Sequence, residues 1–139
     1  MSSALCLRVA DEIHGASIKV LRSVRAEDAK SGVGPAQLSV LSILVFFGPK
    51  KMGELAEAEQ VKPPTMSRVV DGLVRQGMAE RVTVPGDRRA LRISATLKGK
   101  RLLLAGKQRR VQALAKKLER LTQGDLSTLE KAFQILSQV

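Results

Sequence analysis

Two short stretches of this chain carry side chains suited to polar recognition. The first is "PPTMSR", in which Thr65, Ser67 and Arg68 supply two small hydroxyls and one guanidinium. The second is "PGDRR", in which three charged residues follow a Pro-Gly pair. Hydroxyl and guanidinium groups donate hydrogen bonds to base edges and to phosphates. The chemistry that these side chains predict is therefore binding.

The composition of the whole chain favours an anionic partner. Its 139 residues include 24 Lys and Arg against 13 Asp and Glu, a formal net charge of +11. Such an excess favours nucleic acid first and an acidic membrane surface second. With no Trp or Tyr and only three Phe, the chain lacks the aromatic platforms that stack on unpaired bases. We therefore predict recognition of double-stranded DNA.

Catalytic, metal and membrane motifs are missing from the sequence. One His and one Cys cannot form a zinc-ligand set. There is no phosphate-binding loop and no GxSxG elbow, so we predict a protein that is not an enzyme and needs no cofactor. The longest apolar run, "ILVFF" at 43–47, is too short to span a bilayer. With a single Cys and no export signal, a cytoplasmic location is expected.

Apolar periodicity predicts a mainly α-helical fold with one small β-hairpin. The helices are expected at about 4–28, 35–47, 52–59, 63–77 and 97–121, with a last one that begins at a capping box of Thr122 and Asp125. Runs 79–84 and 90–96 should pair as the hairpin across "PGDRR". In the second run the alternation places Leu91, Ile93 and Ala95 towards a core.

This order of elements predicts a winged helix-turn-helix over residues 35–97. Small hydroxyls and an Arg at the start of the helix at 63–77 suit entry into the major groove. The hairpin tip can then reach the adjacent minor groove, where Arg88 and Arg89 are the candidates. Asp87 is expected either to orient a neighbouring Arg or merely to favour the turn.

The remaining helices carry narrow apolar seams that predict dimerisation. In the helix at 97–121 the seam consists of Leu104, Val111, Leu114, Leu118 and Leu121. We expect residues 1–34 and 98–139 to form the dimerisation helices on either side of the DNA-binding lobe. Packing of these seams within one chain is the alternative. Residues 98–121 also hold nine cations and one anion, which indicates either phosphate contacts or a solvated helix face.

Residues 55–99 resemble the MarR family of bacterial transcription regulators, and the order of helices resembles that family over the whole chain. The family's wing pattern is matched by Asp87, Arg89, Ile93, Ala95, Thr96 and Gly99, with Ala95 where Leu is usual. The recognition-helix pattern is matched by Val61, Pro64, Thr65, Ser67, Arg68, Val70, Asp71 and Leu73. The chain departs from the family at Lys62, which replaces the usual Ser or Thr cap, and at Pro63. Lys62 is nevertheless included among the expected DNA contacts.

The resemblance implies a homodimer that binds a pseudo-palindromic duplex, usually as a repressor. It also implies release by a small aromatic or anionic ligand or by oxidation of a Cys. His14, Ser17 and Phe46 are the candidate ligand contacts, although an interface role for His14 is the simpler interpretation. Cys6 is expected to be a buried structural thiol rather than a redox sensor.

Two other functions are compatible with the same residues. One is unspecific binding of RNA or DNA by an architectural protein, and the other is a protein-binding adaptor on the same fold. An adaptor would not need the wing or the residues from Thr65 to Arg68. Those two features therefore favour sequence-specific DNA binding.

Overall fold

The computed structural model describes residues 1–86 and 91–139 completely, and residues 87–90 only as part of a strand. Six α-helices, one short 3-10 turn and three strands follow one another in the chain. In order they are α1 (Ala4–Asp28), the 3-10 turn (Ala29–Ser31), α2 (Pro35–Phe47), β1 (Lys50–Lys51), α3 (Met52–Ala58), α4 (Pro63–Arg75), β2 (Ala79–Val84), β3 (Asp87–Ala95), α5 (Leu97–Leu118) and α6 (Gln123–Leu136). The mainly α-helical fold with a small antiparallel sheet is confirmed.

Prolines, glycines and one hydroxyl explain where several helices begin and end. Pro35 occupies the first position of α2, where its missing N–H costs no hydrogen bond, and Gly48 ends that helix with a φ of 82°. The hydroxyl of Thr122 caps α6 by accepting a hydrogen bond of 3.1 Å from the Asp125 N–H. These boundaries agree with the predicted ones, although α5 ends at Leu118, before the expected residue 121.

The sheet contains a strand that the sequence did not reveal. The strand order is β1-β3-β2, with both pairs antiparallel. Ile93 lies opposite Lys50 on one side and Arg81 on the other. Gly86, in the turn between β2 and β3, has a φ of 87°, the left-handed conformation that Gly adopts after Pro in a type II turn. The predicted hairpin is thus confirmed, with β1 added along its edge.

The chain divides into two compact units. The central unit is Asp28–Gln108, and the terminal unit combines Met1–Glu27 with Arg109–Val139. The core of the central unit is formed by the buried side chains of Val33, Val40, Leu41, Leu44, Leu55, Ala56, Met66, Val70, Leu73, Met78, Ala79, Ile93 and Leu103. This core joins helices α2 to α4 to the sheet and so holds α4 beside the hairpin.

Only part of the predicted inward face of β3 is buried. Ile93 is 2% exposed and belongs to the core, whereas Leu91 is 51% exposed. The expectation that Leu91 faces the core is therefore wrong. Leu91 lies opposite Thr83, two residues nearer the hairpin tip than Ile93, and Thr83 is itself exposed. Alternation gives the face of a residue but not how far the core reaches along the strand.

Thr96 and Gly99 form the junction between the sheet and α5. The Thr96 hydroxyl donates to the Gly77 carbonyl at 2.6 Å and accepts from the Gly99 N–H at 3.1 Å. The Thr96 N–H donates to the Met78 carbonyl at 3.0 Å. A Cβ at Gly99 would overlap that same carbonyl oxygen. Two residues of the wing pattern are thereby explained by capping and by close packing.

Gly99→Ala should lower the free energy of unfolding by about 1 to 3 kcal/mol, because the added methyl displaces a backbone carbonyl that already accepts a hydrogen bond. Urea unfolding followed by circular dichroism measures the change. Gly53→Ala is the matched control, since a Cβ there meets nothing within 4 Å. Its free energy of unfolding should stay the same or rise by up to about 1 kcal/mol. Equal stability of Gly99→Ala and wild type would contradict the packing argument.

The terminal unit buries almost none of its apolar side chains. Within residues 1–27 and 109–139, all of which the structure describes, only Val24 is buried. Its exposed large apolar residues include Leu5, Leu7, Val9, Ile13, Ile18, Val20, Leu21, Val111, Leu121, Leu129, Phe133 and Ile135. Lys117 Nζ donates to the Ser23 carbonyl at 2.8 Å and links α5 to α1.

No single helix among the described residues is long and apolar enough to cross a membrane.

Candidate nucleic-acid interface

Helix α4 has one buried face and one exposed face. Met66, Val70 and Leu73 are at most 1% exposed and anchor the helix in the core of the central unit. Thr65 and Arg68 are exposed, and Ser67 is half-buried. A helix held in this way can place its exposed side chains in the major groove without exposing its apolar residues. Thr65 and Arg68 are the freer of the three predicted contacts.

The start of α4 presents no free backbone N–H group. Pro63 and Pro64 occupy its first two positions and have no N–H to donate. The next two N–H groups, of Thr65 and Met66, both donate to the Lys62 carbonyl at 3.0 and 3.1 Å. Backbone N–H groups at a helix start commonly bind phosphate, but none is available here. The exposed Lys62 side chain is the cation closest in sequence to this helix start.

The connection between α3 and α4 is a tight turn that orients both helices. Gln60 has a positive φ of 54° without being a glycine, and its N–H donates to the Glu57 carbonyl at 3.1 Å. The Val61 N–H donates to the Ala56 carbonyl at 3.0 Å. These bonds satisfy the end of α3, and the left-handed residue turns the chain towards α4. The geometry is that of a helix-turn-helix.

An ion pair that sequence reasoning missed links α4 to the wing. Arg81 on β2 donates from Nη2 to Oδ1 of Asp71 on α4. The recognition-helix pattern includes Asp71, and no sequence pattern includes Arg81. Their separation by ten residues gives no local signal, because the pairing depends on how β2 folds back beside α4. The pair connects β2 of the wing to α4.

The Asp71–Arg81 pair should contribute little to stability although it joins two recognition elements. The two side chains are 52% and 39% exposed, so solvent screens their attraction and we expect a coupling of about 0.2 to 1 kcal/mol. A double-mutant cycle with Asp71→Ala and Arg81→Ala, read by urea unfolding, measures it. The coupling should shrink when salt is raised to roughly 0.5 M. A coupling that is insensitive to salt would contradict a solvent-screened pair.

The predicted wing contacts Asp87, Arg88 and Arg89 have side chains outside the described residues. Their backbone belongs to β3, directly after the turn at Pro85 and Gly86. Strand β3 therefore carries all three residues. Their individual roles in DNA binding stay predictions.

The candidate ligand contacts are distributed over both units. His14 and Ser17 are exposed on α1 in the terminal unit, and the Ser17 hydroxyl donates to the Ile13 carbonyl at 2.7 Å. Phe46 is 58% exposed near the end of α2 in the central unit. Cys6 is exposed, so the expected burial of its thiol is wrong for the single chain. The reason is that the first turns of α1 lie outside any core, since Val24 is the first buried residue of that helix.

This chain is similar in sequence and in structure to known transcription regulators. A sequence profile of the MarR family matches residues 31–90. The HTH-type transcriptional regulator Mb0904 of Mycobacterium bovis is 31% identical over 129 residues, covering 93% of this chain and 90% of that protein. The HTH-type transcriptional repressor MdtR of Bacillus subtilis is 39% identical over 70 residues, covering 50% and 45%. The structure of the transcriptional regulator Tm0710 from Thermotoga maritima superimposes with a TM-score of 0.83 at 27% identity, covering 98% of this chain and 94% of that one.

Proposed function

Because the chain belongs to the MarR family of transcription regulators, we propose that it acts as a homodimeric repressor that binds a pseudo-palindromic DNA duplex sequence-specifically. Residues 35–97 supply the DNA-binding lobe of each subunit, and residues 1–34 and 98–139 supply the dimerisation helices. One observation carries the proposal. Helix α4 exposes Thr65 and Arg68, and its opposite face is buried in the core of the central unit.

The predicted contacts on α4 and just before it bind bases and phosphates. Thr65, Ser67 and Arg68 read base edges in the major groove, where Arg bonds preferentially to guanine. Lys62 contacts a phosphate at the start of α4, where the backbone offers no free N–H.

The wing residues have separate roles in this proposal. Arg89 enters the minor groove, Arg88 contacts a nearby phosphate, and Asp87 orients an Arg before binding. Orientation by Asp87 reduces the conformational freedom that the Arg loses when it docks.

Dimerisation is supported by the apolar surface of the terminal unit. Three apolar side chains in the amphipathic helices α5 and α6 are largely exposed. They are Val111 (56%), Phe133 (61%) and Ile135 (67%). Large exposed apolar patches in a single chain are typical of interaction surfaces. A second copy of the chain can cover seams on three helices by interleaving its own terminal helices with them. The dimer then presents two α4 helices to two half-sites.

Repression relieved by a small molecule is the proposed mode of control. The relative MdtR is named a repressor, and a protein bound across a promoter blocks transcription by occupancy. His14, Ser17 and Phe46 are the proposed contacts for a small aromatic or anionic effector. Binding of such a molecule should lower the affinity of the dimer for its operator, because a ligand that favours one conformation shifts the protein away from the other.

A competition binding assay on duplex fragments from the protein's own promoter tests the function. We expect one fragment to bind at least about 1,000-fold more tightly than random duplex at physiological salt. Random-sequence binding should fall more steeply with salt than operator binding, because it depends almost entirely on counterion release. Equal affinity for every fragment would favour the architectural alternative, and no duplex binding at all would favour the adaptor.

A further inference from the structure

The start of α5 contacts the end of the recognition helix α4 through three hydrogen bonds. Three consecutive residues, Gln76, Gly77 and Met78, follow the last turn of α4. Lys98 Nζ donates to the Gln76 carbonyl at 2.9 Å. The Thr96 hydroxyl donates to the Gly77 carbonyl at 2.6 Å, and the Thr96 N–H to the Met78 carbonyl at 3.0 Å. Carbonyls at the end of a helix have no partner within it, and here α5 supplies the partners.

The Lys98 side chain lies along the turn that leaves α4. Gly77 has a φ of 74°, and a Cβ at this glycine would lie 3.7 Å from Lys98 Cδ and 3.8 Å from Nζ. These are ordinary van der Waals distances, so the Lys98 stem covers the glycine while its ammonium binds the neighbouring carbonyl. A cation beside the C-terminal end of a helix is also favoured by the helix dipole. Packing, hydrogen bonding and charge therefore all favour this position of the side chain.

Lys98 is the part of this junction that the fold needs least. Thr96 also caps α5 by accepting from the Gly99 N–H at 3.1 Å, and Gly99 is buried against the Met78 carbonyl. Lys98 is exposed, and its hydrogen bond reaches a residue 22 positions earlier in the chain. Removal of the Lys98 ammonium therefore frees one end of α4 and leaves the start of α5 and the core in place.

We propose that Lys98 is a positioning residue for base reading, because its bond to Gln76 fixes the direction of α4. This inference rests on the proposed function. Thr65 and Arg68 lie about 12 to 17 Å from Gln76 along the helix axis. A tilt of about 5° shifts them by roughly 1 Å over that length, which is enough to break hydrogen bonds to base edges.

The core alone does not set this direction. Met66, Val70 and Leu73 hold α4 by apolar burial, and the hydrophobic effect is non-directional. A hydrogen bond at the end of the helix has a preferred distance and angle. Phosphate contacts tolerate a small tilt better than base contacts do, because they carry no sequence information. Loss of the Lys98 bond should therefore reduce the preference for the operator more than the affinity for random DNA.

The experiment compares Lys98→Met with Lys100→Met, which removes the same charge two positions further along α5. Lys100 is also exposed, and its ammonium has no hydrogen-bond partner in the part of the chain that the structure describes. Affinities for operator and random duplex are measured at a temperature where circular dichroism shows every variant to be folded. Lys98→Met should bind the operator about 3- to 10-fold more weakly in each half-site than Lys100→Met. The two variants should bind random duplex equally, with equal salt slopes.

Lys98→Arg tests whether the hydrogen bond is the cause. A guanidinium can also donate to the Gln76 carbonyl, so this variant should regain most of the wild-type ratio of operator to random affinity. A stability effect alone would not change that ratio in folded protein. A ratio in Lys98→Arg as low as in Lys98→Met would overturn the positioning role.

Two further results would overturn it and leave the proposed function standing. One is a wild-type ratio in Lys98→Met, with the wild type preferring its operator. The other is a parallel loss on operator and random duplex with a reduced salt slope, which would make Lys98 a phosphate contact. Equal binding of every duplex by the wild type would overturn the proposed function itself, and the role of Lys98 with it.

Discussion

A Val111→Glu variant should be monomeric and should bind the operator about 100- to 10,000-fold more weakly than the wild type. Val111 lies in the apolar seam of α5 and is 56% exposed in the single chain. In the proposed dimer its side chain is covered, so a carboxylate there would be desolvated without a partner. Loss of the dimer separates the two α4 helices, and each half-site is then bound independently.

Gln112→Glu is the matched control for this variant. It makes the same side chain one position further along α5, at a residue that is also exposed but lies outside the seam. We expect it to remain dimeric, with a modest loss of DNA affinity from the added negative charge. Light scattering should give twice the chain mass for the wild type and Gln112→Glu, and one chain mass for Val111→Glu. A dimeric Val111→Glu protein would show that the seam of α5 does not form the interface.

Arg68→Ala should cost about 1 to 3 kcal/mol in each half-site, and the loss should be confined to one base position. Arg68 is exposed on α4 two positions beyond the buried Met66, so its guanidinium can reach a base edge while the helix stays anchored. Operators with each base substituted in turn measure the effect. Against the wild type, the variant should lose its preference at one position and keep its preferences elsewhere.

Arg75→Ala separates base reading from a general loss of charge. Arg75 is the basic residue in the last turn of the same helix and is also exposed. A recognition helix contacts bases mainly through its N-terminal residues, so Arg75→Ala should weaken operator and random duplex similarly. If Arg68→Ala behaved in the same way, Arg68 would be a phosphate contact, and base reading would fall to Thr65 and Ser67.

Much of the fold was predictable because its signals are local. Gly34 and Pro35 place the start of α2, Thr122 caps α6, and Pro85 with Gly86 makes the hairpin turn. Each of these depends on residues adjacent in the chain, where backbone dihedral preferences and short hydrogen bonds operate. The exposed positions of Thr65 and Arg68 followed from the helical period alone, because the apolar residues of α4 are so regularly spaced.

The sequence by itself thus determined the helices, the hairpin, the basic charge and the exposed positions of Thr65 and Arg68 on α4. Only the tertiary structure decided which distant residues meet. It paired Asp71 with Arg81, placed Lys51 opposite Arg92, added the two-residue strand β1 and left Leu91 outside the core. The physical reason is that a two-residue strand is defined only by its partner, and the extent of a core only by the elements packed around it. Such contacts depend on the folded arrangement of the whole lobe, which no local pattern specifies.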